Sequence, residues 1–239
     1  MNDQGIIITA TQEKKFYDCA IANVNSILEY MPSAKVTLFT SKELFNPIHS
    51  SFFDNVVLDT PDEVRAKIWA MANSPYELTL YLDADMLVCH SDFNSVFDQI
   101  DQEDMLWTKI TKEREYAYNT KDGSNITFPG GQIEIFGGVC LYKSSAQSFM
   151  SDWYELDKKM REKKWWPSDV EKYPTKFAKW DQFSLWWLTN QEWDNYQYLS
   201  YDFFKDDFRW NWLYSYSSQK EGEDLPGKQK IIMHHKFRR

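Results

Sequence analysis

Asp83 and Asp85 stand one small residue apart, across Ala84, inside an apolar run that extends from Leu78 to Val88. Side chains two apart on an extended segment project to the same side, so the pair presents two carboxylates together beyond a buried strand. Carboxylates beside buried apolar surface need a positive partner, and a hard divalent cation with phosphate oxygens completing its shell is one. An isolated Asp-x-Asp is more often a strand-to-turn junction. Here the preceding run is continuously apolar, as in a strand buried on both faces, and ligands of open α/β sheets gather at strand C-terminal ends. Four further features carry chemistry: Lys67, Asp181-Gln182, the glycine pair Gly137-Gly138, and His234-His235 near the end of the chain. Lys67 has two readings, a side chain snorkelling at the edge of a helix stripe or a cation aimed at the aspartates. An Asp at a helix start is usually a cap, which is the ordinary reading of Asp181. Paired glycines inside a strand indicate a bulge, a close backbone approach or tight packing.

The elements that must position these groups follow from periodicity. Residues 5–10 read as a first buried strand. A helix follows with the stripe Tyr17, Ala20, Ile21, Val24, Ile27, Leu28 and Met31, stopped by Pro32. Strands are predicted at 35–40 and 55–58, in β-α-β order. Thr60-Pro-Asp-Glu63 has the features of a capping box, predicting a helix to about residue 73 with Val64, Ile68 and Met71 facing inward. Beyond the aspartates, residues 93–100 suggest a short helix, 105–108 a strand, 111–131 a polar hairpin or loop, and 132–143 a strand containing the glycine pair. Ser144-Ser-Ala-Gln147 resembles a second capping box before a helix with Phe149, Trp153, Leu156 and Met160 inward. A helix over 180–188 presents Asp181 and Gln182 at its start, and 230–236 forms a last short strand.

Length and composition exclude several classes. The 239 residues carry 27 basic and 36 acidic side chains, a net charge of −9 that argues against a nucleic-acid backbone as partner. Cys19, Cys89 and Cys140 have no metal-ligand spacing and fit small buried hydrophobes in a reducing compartment. The first apolar run is too short for a secretory signal and none is long enough to span a membrane, so a soluble, cytoplasmic protein is expected. Aromatic residues make up 17% of the chain, including 11 tryptophans; they are core material by default, and exposed ones stack on sugars or nucleobases.

In order and spacing the motifs resemble the glycogenin-like retaining glycosyltransferases of the GT-A fold, which include bacterial lipopolysaccharide galactosyltransferases. Tyr17, eleven residues before Leu28, is similar to the family's tyrosine that packs on the donor nucleobase. Lys67, sixteen residues before Asp83, is similar to the basic residue that contacts donor sugar and phosphate. Tyr81-Leu-Asp-Ala-Asp-Met-Leu-Val88 resembles the metal-binding Asp-x-Asp strand, and Asp181-Gln182 the pair beside the reacting sugar. His234, after Ile231-Ile-Met, resembles the late histidine of the metal shell. Two departures stand out. Phe136-Gly-Gly-Val139 replaces the family's Asn-Ser-Gly, and His234-His-Lys-Phe-Arg-Arg239 replaces a histidine followed by Gly and Lys-Pro-Trp, leaving Lys236, Arg238 or Arg239 to clamp a diphosphate.

The resemblance implies an α/β chain with the GT-A, Rossmann-like fold, a mostly parallel central sheet flanked by helices. It also implies a single domain over 1–239, with a nucleotide-binding half (1–110) and an acceptor- and sugar-binding half (111–239). Donor-site residues are then Thr9, Ala10, Thr11, Tyr17, Lys67, Asp83, Ala84, Asp85, Gly137, Gly138 and Lys236. The metal ligands are Asp83, Asp85 and His234, and the catalytic residues Asp181, Gln182 and Lys67. An imidazole ligand favours Mn²⁺ over Mg²⁺. The implied reaction moves a sugar from a nucleotide-diphosphate donor, a UDP-sugar, to the hydroxyl of a glycan, lipid or protein acceptor, with retention. Two other readings stand beside it. A sugar-phosphate nucleotidyltransferase is disfavoured because residues 9–15 contain no glycine, and a non-catalytic sugar- or protein-binding module would leave the aspartates without a role.

Overall fold

The computed structural model describes residues 3–109, 118–119, 125–126, 135–165, 181–205, 207–210, 212–213 and 231–234. The first half alternates strands and helices: β1 (Gln4–Ala10), α1 (Lys14–Tyr30), β2 (Val36–Thr40), β3 (Asn55–Val57), α2 (Ala66–Ala72) and β4 (Leu78–Asp83). After these come β5 (Met86–Val88), β6 (Met105–Lys109), β7 (Tyr118–Asn119), β8 (Asn125–Ile126), β9 (Ile135–Lys143) and α3 (Gln147–Arg161). The chain continues through α4 (Asp181–Asn190), β10 (Tyr201–Phe203), α5 (Asp207–Trp210), β11 (Trp212–Leu213) and β12 (Ile232–His234).

Seven strands form the central sheet in the order β10-β6-β9-β4-β1-β2-β3. Pairings β1–β2, β2–β3, β1–β4 and β6–β10 are parallel, and β9 runs antiparallel between β4 and β6. This is the mostly parallel α/β architecture expected. Its cause is visible in β1 and β4, where Ile6, Ile7 and Ile8 and Leu80, Tyr81 and Leu82 are buried, as strands covered on both faces by helices must be. To this core α1 contributes Tyr17, Ala20, Val24 and Ile27, and α2 contributes Ile68 and Met71. The described tryptophans mostly pack inward; Trp107 and Trp153 are fully buried and meet edge to face at 6.0 Å. A second sheet joins β5 to the far end of the chain, in the order β11-β12-β5. β7 and β8 pair antiparallel inside the segment expected to hold a hairpin, whose Asp122-Gly123 turn lies outside the described residues. No helix among the described residues is long and apolar enough to cross a membrane.

Local expectations are corrected at three places. The capping box at Thr60–Glu63 does not form: α2 opens at Ala66, Thr60 Oγ1 donates to the Val57 carbonyl, and Glu63 is drawn away by Tyr154. Val64 therefore precedes the helix and is 59% exposed rather than inward. Ser144–Ala146 forms a 3-10 turn without a side-chain cap, and Gln147 Nε2 donates instead to the Ser74 carbonyl. The run from Leu78 to Val88 is not one strand: the backbone turns at Ala84-Asp85, so the two aspartates do not share an extended segment. The glycine pair does mark an irregularity. The β6–β9 register jumps from Trp107↔Cys140 to Thr108↔Phe136, which leaves residues 137–139 bulged on that side.

Candidate active site

Thr9 at the end of β1 lies in register with Asp83 at the end of β4. The connections from β1 lead to β2 on one side, while β4 lies on the other, so this is the topological switch point at which open α/β sheets bind ligands. A cleft of about 240 Å³ opens there. Thr9, Tyr81, Asp83, Ala84 and Asp85 line it from the strand ends, Thr11, Gln12 and Phe16 from the connection into α1, and Val64 to Lys67 from the start of α2.

Lys67 occupies the centre of the charge arrangement. Its Nζ lies 2.7 Å from Asp181 Oδ2, a close contact of opposite charges rather than an aligned hydrogen bond, and donates to Asp83 Oδ1 at 3.2 Å and to the Gly137 carbonyl at 3.3 Å. The second reading of Lys67, a cation aimed at the acids, is therefore the one realised. Arg65 Nη2 adds a second cation 3.4 Å from Asp181 Oδ1. Asp181 is 2% exposed. Burial alone would raise its pKa, but the charges of Lys67 and Arg65 outweigh burial and hold the carboxyl below its ordinary value. For Lys67, burial works to lower the pKa, and Asp181 and Asp83 together hold it above the ordinary value. Both groups are ionised at neutral pH.

Asp83 is fixed from three directions. Tyr81 Oη donates to Asp83 Oδ1 at 2.6 Å, and Asn23 Nδ2, from the buried face of α1, donates to its carbonyl at 3.0 Å. Burial and the Asp83 charge push the Tyr81 phenol well up, so it stays a neutral donor. A Cβ at Gly138 would lie 2.5 Å from Asp83 Oδ2 and 2.3 Å from the Phe136 ring, so only glycine leaves this carboxylate its place. At Gly137 a Cβ would meet Trp153 at 3.1 Å, close to Asp181 Oδ2 at 3.8 Å. The bulged glycine pair thus packs against both acids.

The expected site residues are distributed as follows. Thr9, Thr11, Lys67, Asp83, Ala84 and Asp85 line the cleft, and Asp181 joins them through Lys67. Gln182 follows on α4, half-buried, and Gly137 and Gly138 touch the site by backbone. Ala10 is buried behind the lining and its carbonyl accepts from Thr40. Tyr17 departs from its expected role: it is 2% exposed, its hydroxyl accepts from Asn46 N at 3.1 Å and meets His49 Nδ1 at 3.2 Å, and the aromatic side chain that α1 brings to the cleft is its neighbour Phe16. Lys236 and His235 lie outside the described residues, and His234 is described by its backbone position alone. Arg65 was not anticipated. Its signal in the sequence is a second cation two residues before Lys67.

The residues present fit a divalent cation in three respects. Asp83 and Asp85 both reach the cleft. β12 pairs antiparallel with β5 so that His234 stands opposite Met86, the residue after Asp85. By residue type, two carboxylates and a histidine are donors suited to Mn²⁺. Among the described side chains no three His, Cys, Asp or Glu residues gather as a metal-holding group. Thr9 Oγ1, buried at the strand end, finds no hydrogen-bond partner among the described residues.

No family model and no curated protein matches the chain. Solved structures do. The glycosyltransferase GlyE of Streptococcus pneumoniae TIGR4 superposes with a TM-score of 0.59 at 15% identity, over 97% of this chain and 54% of that one. The galactosyltransferase LgtC, in complex with donor and acceptor sugar analogues, gives 0.55 at 13% identity over 97% of this chain and 86% of that one. The bifunctional glycosyltransferase WbbM gives 0.59 at 12% identity, over 99% of this chain and 46% of that one. The chain thus spans about half the length of GlyE and of WbbM. What is shared at these identities is the fold, and it is the GT-A-like glycosyltransferase fold that the sequence resemblance implied.

Proposed function

We propose that the protein is a metal-dependent glycosyltransferase that moves a sugar from a UDP-sugar to an acceptor hydroxyl with retention. The observation that carries this reading is the Lys67 ammonium set between the carboxylates of Asp83 and Asp181, in a cleft at the switch point of this fold. A buried ion triad opening on a cleft, whose desolvation is costly, favours a reacting site over a lectin-like module.

Asp83, Asp85 and His234 would hold Mn²⁺, with Mg²⁺ as the alternative. When bound, the ion supplies positive charge against the departing diphosphate. The chain's own residues do the rest. Phe16 offers an aromatic face to the nucleobase at the cleft mouth. Lys67, with Arg65 behind it, adds positive charge beside the phosphates, and Lys236 is a further candidate there. Asp181, kept ionised in a water-poor setting, stabilises the positive charge that develops at the anomeric carbon, with the Gln182 amide beside it. The bond from that carbon to the diphosphate oxygen breaks with its electron pair going to the diphosphate. The acceptor oxygen bonds to the same carbon on the face just vacated, and its proton passes to the departing phosphate.

Calorimetry with UDP, with and without Mn²⁺, tests the donor half of this reading. Metal-dependent binding that Asp85→Asn abolishes is expected; binding indifferent to metal and to that change would contradict it. The α anomer of the product sugar, from an α-linked donor, tests retention.

A further inference from the structure

The first turn of α4, which begins at Asp181, is held by side chains of α3 and of α4 itself. The Asp181 carbonyl accepts from Trp153 Nε1 at 3.2 Å and lies 3.0 Å from Ser184 Oγ, which itself accepts from Trp153 Nε1 at 3.0 Å. Ser184 Oγ lies within donating distance of Asp157 Oδ1 at 3.1 Å. Asp157 is 1% exposed, and its Oδ2 accepts from Arg161 Nε at 2.6 Å. Arg161 Nη1 in turn stands 3.5 Å from Glu63 Oε2. Glu63 Oε1 accepts from Tyr154, and its carbonyl accepts from Thr11 Oγ1 at 3.3 Å. The chain of contacts therefore begins at Asp181 and ends two residues before Arg65, at the segment that carries both cations facing the Asp181 carboxylate.

Buried charge pairs of this kind are often no more stabilising than apolar packing, so their gain must be sought elsewhere. Two elements far apart in sequence, the start of α4 and the start of α2, have to meet for Lys67 and Asp181 to pair. We propose that Asp157 and Ser184 are positioning residues for Asp181: through Ser184 they hold the first turn of its helix, and through Arg161 and Glu63 they fix the segment bearing Arg65 and Lys67. The kinetic consequence rests on the role given to Asp181 above; the geometric one does not.

The test uses the full chain in two arms. In the metal-free protein, the Asp181 carboxyl is titrated by ¹³C NMR in wild type, Ser184→Ala and Asp157→Asn. Burial raises the Asp157 carboxyl, so it is already protonated where Asp181 titrates and Asp157→Asn removes no charge there, whereas loosening the contact with Lys67 and Arg65 raises the Asp181 midpoint, so an upward shift in both variants supports positioning. A folded Ser184→Ala with the wild-type Asp181 midpoint overturns it, and this variant decides the matter if Asp157→Asn fails to fold. In the second arm, turnover of UDP-galactose and UDP-glucose with Mn²⁺ is expected to lose about ten- to a hundredfold in kcat, with KM within about twofold. Unchanged kcat in a folded Ser184→Ala overturns the kinetic part. A wild-type protein that turns over no donor counts against the proposed function, and the titration then decides positioning by itself.

Discussion

Lys67 Nζ lies 2.7 Å from Asp181 Oδ2, although 114 residues separate the two in the chain. One arrives from the start of α2 and the other from the start of α4, and Lys67 also reaches Asp83 at 3.2 Å. The ammonium therefore couples the two carboxylates on which the proposed chemistry depends.

Removing one partner of such a pair leaves an uncompensated buried charge. Lys67→Met is expected to lower the unfolding free energy by about 3–5 kcal/mol, read by urea denaturation, and Lys67→Met with Asp181→Asn to recover part of that loss.

The pair also sets a pH window. Asp181 has its pKa depressed in the folded state, so its contribution is present above the unfolded value and is lost as pH falls through the folded one. Lys67 has its pKa raised, so its contribution is present below the unfolded value and is lost as pH rises through the folded one. The pair's stabilisation thus forms a plateau between about pH 4 and about pH 10. Asp157 works with opposite sign on the acid side. Burial raises its pKa against the pull of Arg161, so folding takes up a proton there and stability falls as pH rises across that window. The difference between wild type and Asp181→Asn in urea unfolding at a series of pH values isolates the Asp181 limb and should grow from acid pH toward neutrality.

Glycine replacements separate packing from site. Gly138→Ala places a Cβ 2.5 Å from Asp83 Oδ2, and Gly5→Ala places one 2.3 Å from the Tyr76 ring. Each is expected to destabilise by about 1–3 kcal/mol, measured by denaturation. Only Gly138→Ala should also weaken Mn²⁺-dependent UDP binding in the folded fraction.

Phe16 and Tyr17 make a paired prediction. Phe16→Ala is expected to weaken UDP binding by about 1–3 kcal/mol, the worth of one stacked base. Tyr17→Phe removes hydrogen bonds to Asn46 and His49, so it should reduce stability by about 1 kcal/mol and leave UDP affinity unchanged.

The strands of the sheet were legible because strands buried on both faces read as continuous apolar runs, and Asp83, Asp85 and Lys67 stood out because charges interrupt such patterns; the strand order that makes the switch point was not legible. Other features were not. Thr60 and Glu63 satisfy the local rule for a capping box, yet Glu63 finds Tyr154 and Arg161 across 91 and 98 residues, and tertiary contact overrides the cap. Tyr17 and Phe16 are adjacent, and only the rotation of α1 decides which ring faces the cleft. Asp157 left one trace: it lies four residues from Trp153 on the inward face of its helix, with Arg161 four further on, a charged pair where a purely apolar stripe is the rule.

Mn²⁺-dependent release of UDP from a panel of UDP-sugars, by wild type beside Asp83→Asn, tests the central claim most directly. Release by the wild-type protein with at least one sugar, abolished by chelation and by Asp83→Asn, is the predicted result. Full activity in folded Asp83→Asn, or no release with any UDP-sugar in the presence of Mn²⁺, would contradict it.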